Sequence, residues 1–115
     1  MILPEFDQQQ WLQLELRLTE RFGRQPVLDE ILIFIGSLEA GLPPKKLTET
    51  DKENLKQVAI SAILAPAKYY ELMWVDDTGW PHFRQLDRLP QMTEAAYHDF
   101  LKKYILQYVQ KNKLS

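Results

Sequence analysis

The sequence predicts a mainly helical α+β domain, with about four helices and one β-hairpin inserted before the C-terminal helix. Three observations predict it. Several long segments rich in Leu, Glu, Gln, Lys and Ala carry helix start and stop signals. One stretch, YYELMWVDDTGWPHFRQL, has a run rich in aromatic and β-branched residues, then a turn-forming tetrapeptide, then a second run with two aromatics. No internal repeat, low-complexity tract or long linker divides the chain, so 1–115 reads as one domain with one core. At 115 residues with 45% hydrophobic composition, it can bury roughly two thirds of its unfolded surface.

The first helix lies in DQQQWLQLELRLTERFG. Leu12, Leu14, Leu16 and Leu18 alternate as in a strand, whereas Trp11, Leu14, Leu18 and Phe22 recur at helical spacing. Asp7 as N-cap, Gly23 as a left-handed stop and the Gln, Glu, Leu and Arg content favour the helix, with the extra leucines widening its apolar face. A second helix covers about Val27 to Ala40 and closes at Gly41 before Pro43 and Pro44. Its centre, ILIFI, is apolar on all sides, as a central core helix or a buried strand would be, and the flanking LDE and SLEAG favour the helix. Thr50 and Glu53 are spaced as a capping box for a third helix, with Leu55, Val58, Ala59, Ala62 and Ile63 on one face and Pro66 ending or kinking it.

YYELMWV and WPHFRQL then form the two strands. In the turn between them, Asp76 and Asp77 can accept bonds from amides two residues on, and Gly79 can take a positive φ, which suits a type I turn with a glycine bulge. Pro81 lacks an amide hydrogen, so its strand lies at an edge or bends away. A lone hairpin is marginal in water, and the expectation is that it rests on the last helix. That helix starts at Thr93, with Met92 and Tyr97 spaced as a hydrophobic staple. Tyr97, Leu101, Tyr104 and Tyr108, joined by Phe100 and Ile105, line it, and Lys111 and Lys113 complement its dipole.

Composition excludes several functions. The formal charge is -2, split as 7 basic and 10 acidic residues before Pro66 and 7 and 6 from there on, which gives no general attraction to phosphate or anionic lipid. Without cysteine there are no disulfides, thiolate zinc sites or cysteine nucleophiles. MILPEFDQQQ has neither a basic n-region nor an apolar h-region, and no apolar run approaches the ~20 residues of a spanning helix. A cytoplasmic location is expected.

Catalytic signals are weak. The serines are Ser37, Ser61 and Ser115 and the histidines His82 and His98, none in a recognisable motif, and the glycines at 23, 36, 41 and 79 form no phosphate loop. Asp29 and Glu30 open the second helix, where its dipole accounts for them. No cofactor is implied.

The candidate sites cluster around WVDDTGWPHF. Trp74, Trp80, Phe83 and Arg84 offer the aromatic and arginine side chains that anchor protein interfaces, and the edge strand is a natural place for such contact. The leading expectation is therefore a non-enzymatic interaction module whose partner is another protein or a second copy of this chain. Whether Trp74 and Trp80 face each other depends on a strand register that the sequence does not fix. The alternative is a small-ligand or metal site between hairpin and last helix, using Asp77, His82 and His98. A base-stacking platform would need a cationic groove, and the turn carries two aspartates instead.

Overall fold

The computed structural model describes residues 7–42 and 46–112. Its elements are α1 (Gln8–Phe22), α2 (Leu28–Ala40), α3 (Glu49–Leu64), β1 (Tyr70–Val75), β2 (Pro81–Gln85) and α4 (Glu94–Lys111), which is the expected order. None of the described helices is long and apolar enough to cross a membrane. The chain forms two compact units, one of Met1–Val27 with Pro90–Ser115 and the other of Leu28–Leu89.

In the first unit α1 begins at Asp7, whose Oδ1 accepts the amides of Gln9 at 2.9 Å and Gln10 at 3.1 Å. Gly23, left-handed, closes the helix by donating to the Thr19 carbonyl at 2.9 Å. The helical spacing decides burial, since Trp11, Leu14 and Leu18 are buried. Leu12 and Leu16, expected to widen the apolar face, stand 50% and 68% exposed. At 100° per residue they fall outside the Trp11–Leu14–Leu18 stripe. α4 starts at Thr93, whose Oγ1 accepts the Ala96 amide at 3.1 Å. It buries Phe100, Leu101, Tyr104, Ile105 and Leu106. It pairs with α1, where the Lys102 ammonium lies over the Trp11 ring at 5.4 Å.

The second unit is built on the α2–α3 pair. α2 buries Ile31, Leu32, Ile35, Gly36, Ser37 and Ala40, and closes with the Leu42 amide donating to the Ser37 carbonyl at 3.0 Å. The expected prolines Pro43 and Pro44, like Lys113 after α4, lie outside the described residues. The two helices touch through backbone at Gly36, where an added Cβ would collide with the Leu55 carbonyl. α3 buries Leu55, Val58, Ala59, Ser61, Ile63 and Leu64. Its capping box is formed not by Thr50 and Glu53 but by Thr48, whose Oγ1 accepts the Asp51 amide while Asp51 Oδ2 accepts the Thr48 amide, both at 3.0 Å. The same spacing occurs two residues earlier, and starting there adds Glu49 and Thr50 to the helix. α3 ends at Leu64, and a left-handed Lys68 (φ 71°) redirects the chain past Pro66 into the hairpin. β1 and β2 pair antiparallel, and the contacts that support them within this unit come from α3.

Candidate functional site

The hairpin turn has the predicted geometry. The Gly79 amide donates to the Asp76 carbonyl at 2.9 Å and the Asp76 amide donates to the Trp80 carbonyl at 3.0 Å, with Gly79 at φ 90°, as a type I turn with a glycine bulge requires. Asp76 organises this turn. Its Oδ1 accepts the Thr78 amide at 2.9 Å, the Thr78 hydroxyl at 2.6 Å and the Trp80 amide at 3.1 Å. Its Oδ2 lies 2.9 Å from His82 Nε2. The Thr78 hydroxyl first, then His82, hold the carboxyl far below the usual carboxylate range, with the two backbone amides adding to the effect. A carboxylate only accepts, so Nε2 is the protonated nitrogen of this imidazole.

The strand register explains where the tryptophans go. Leu72 pairs with Phe83 and Trp74 with His82, so β1 carries one extra residue, Met73, as a bulge. That insertion sets Trp74 opposite His82, and the two rings stack with centroids 4.2 Å apart and planes 6° from parallel. Trp74 therefore faces His82, not Trp80. The stack is an outward feature, because Trp74 is 57% exposed. Arg84, opposite Glu71 in the ladder, is paired with it at 3.3 Å.

Trp80 and Phe83 are half-buried and line a different surface. An open groove of about 550 Å³ runs between α3 and the hairpin. Asn54, Gln57, Val58 and Ser61 form its α3 wall, at positions that recur on one face of a helix. Tyr70, Trp80, Pro81, His82, Phe83 and Gln85 form the hairpin wall. Gln57 and Ser61 brace each other, the Gln57 side-chain amide donating to Ser61 Oγ at 3.3 Å and Ser61 Oγ donating to the Gln57 carbonyl at 2.9 Å. Gln85 is held by donating to the Asp87 carbonyl at 3.0 Å.

Of the residues that the sequence suggested for a ligand, His82 lies in the groove wall, Asp77 is exposed at the turn, and His98 sits on α4 in the other unit, 4.0 Å from Glu94. Among the described residues no group of three or more acidic or histidine side chains is placed to hold a metal ion. The Asp76–His82 pair resembles two parts of a hydrolytic triad, but the Thr78 hydroxyl donates to Asp76 instead of to the imidazole. Its chemistry is that of an oriented ring.

Two features escaped sequence reasoning. Asp76, not Asp77, is the organising carboxylate, and the signal was its place as first residue of the turn, where a side chain bonds the amide two residues on. The α3 wall of the groove was also missed. Its signal was a run of neutral amide and hydroxyl side chains at positions 54, 57 and 61, in a helix whose first turns are otherwise charged.

Compared with known proteins, the chain matches no family model, no curated protein and no solved structure.

Proposed function

We propose that this chain is a non-enzymatic protein-interaction module that receives its partner on the outer edge of the hairpin. One observation carries the reading: Leu72, Met73, Trp74 and Val75, four consecutive apolar residues of β1, are each 47–57% exposed. Among the described residues the sheet has two strands, so β1 has one edge without a sheet neighbour there. Strand edges left apolar and unprotected invite pairing with another extended segment, and natural proteins guard against it with charges or prolines unless the contact is wanted. Here the guard is confined to Glu71, already engaged by Arg84.

This reading keeps Trp74 as an anchor and adds its β1 neighbours Leu72 and Val75. Trp80 and Phe83 support the hairpin from the groove side, and Arg84 holds Glu71. The partner strand comes from another protein or from a second copy of the chain. Native mass spectrometry of gently purified protein, with light scattering across a concentration series, separates the two. A dimer or a retained partner that Val75→Lys abolishes supports the module. A strictly monomeric, partner-free protein whose behaviour Val75→Lys leaves unchanged would remove it.

The groove favours a second reading, a binder of a small ligand, with His82 retained from the expected set. A stoichiometric extra mass on the native protein, lost in Gln57→Ala, would support this reading over the first.

A further inference from the structure

The apolar β1 edge is flanked by opposite charges. Lys68 stands two residues before β1 and Asp77 two residues after it, and both are exposed. Neither side chain has a hydrogen-bond or ion-pair partner among the described residues. The charges between them are already engaged, Glu71 by Arg84 and Asp76 by Thr78, Trp80 and His82. In chain order the edge is therefore a cation, an apolar run and an anion, all within the unit Leu28–Leu89.

That order is complementary to its own reverse. Laid antiparallel about a twofold axis between Leu72 and Met73, two copies of the edge set Lys68 of each beside Asp77 of the other, because both residues lie equally far outside the strand. The same register sets Tyr70 against Val75 and Leu72 against Met73, so apolar and aromatic side chains meet between the charges. Glu71, already paired with Arg84, falls opposite Trp74 and not opposite an acid. A parallel arrangement would put Lys68 on Lys68 and Asp77 on Asp77, and like charges side by side repel. A partner strand of uniform charge, of either sign, would meet repulsion at one end.

We infer that the occupant of the β1 edge is a second copy of this chain, bound antiparallel, with two reciprocal Lys68–Asp77 ion pairs closing the contact. The inference rests on the edge-strand reading and names its partner. A twofold contact uses each β1 edge once, so assembly stops at a dimer. Few side chains meet, so the dimer is weak, with a dissociation constant of roughly 10 μM to 1 mM.

The test is sedimentation equilibrium of the full chain and of three charge variants. Lys68→Asp and Asp77→Lys each place like charges at both ends of the contact, and each should raise the dissociation constant about tenfold. Aspartate tolerates the left-handed backbone of Lys68 (φ 71°), and the turn position of Asp77 accepts most residues. An equimolar mixture of the two variants should associate as the unaltered chain does, since each supplies the charge that the other lacks. The double variant Lys68→Asp/Asp77→Lys should do so too, because it exchanges the two ends and keeps them complementary, which a parallel dimer would not reward. Raising the ionic strength should weaken the unaltered dimer, a readout that needs no variant to fold. The inference is overturned if the unaltered chain stays monomeric up to about 1 mM, if the single reversals change nothing, or if neither the mixture nor the double variant restores what they lose. A monomer that retains a different protein, released by Val75→Lys, overturns the second copy and leaves the edge-strand reading standing, whereas a partner-free monomer removes both.

Discussion

At the scale of single residues, two neighbours in α2 behave in opposite ways. Gly36 sits where the two helices of its unit meet through backbone, and a methyl group there would run into the Leu55 carbonyl, which cannot yield as a side-chain tip could. Gly36→Ala should therefore destabilise the protein by about 1–3 kcal/mol in urea unfolding, despite the better helix propensity of alanine. Ser37 is buried and its Oγ has no hydrogen-bond partner among the described residues. Ser37→Ala should be neutral or stabilising by up to about 1 kcal/mol in the same assay, because the unmet hydroxyl is removed with little loss of volume. The sequence announced neither role, since the need for glycine comes from a helix crossing and not from a turn. Asp76 yields a pH prediction. Its carboxyl is depressed in the folded chain, so its contribution is present above the ordinary carboxylate value of about 4 and is lost as pH falls toward the depressed one. The near-ultraviolet circular dichroism of the Trp74–His82 stack should hold from neutral pH down to that range and fade below it. Asp76→Asn should remove this component of the acid dependence while leaving that of the other carboxylates.

At the scale of elements, helices and hairpin were legible because each carries local punctuation. Asp7, Gly23, Pro66 and Thr93 act within a few residues of themselves, and the structure uses each as expected. The third helix shows the limit, because Thr48 and Thr50 both stand three residues before a carboxylate, and the structure uses the first as cap. β1 shows another limit. Its bulge at Met73 has no glycine or proline to announce it, yet it decides that Trp74 lies over His82. The turn is more strongly determined, and Gly79→Ala, which forces a side chain to φ 90°, should cost about 1 kcal/mol in thermal unfolding. For the edge strand, Trp74→Ala should weaken association by roughly 30-fold or more if it is an interface anchor, measured by light scattering or by titration with a retained partner.

At the scale of the whole molecule, the sequence spoke about exclusions more than about sites. Balanced charge and the lack of cysteine are properties of the entire chain and can be read without coordinates. The groove is different in kind, because it exists only once the hairpin is laid on α3, and nothing in the hairpin residues names the helix that carries it. Asn54, Gln57 and Ser61 looked like an ordinary solvated face for that reason. The division of the chain into a middle unit and one made from both flanking segments also has a temporal meaning. α2, α3 and the hairpin find their partners close by in sequence, whereas α1 must wait for α4, with all of Leu28–Leu89 between them. Pulse-labelled hydrogen exchange during refolding should show α2 and α3 protected before α1 and α4. During synthesis, the Trp11, Leu14 and Leu18 face emerges well before its partner helix α4, and until then its apolar surface is open to chaperones and to other chains.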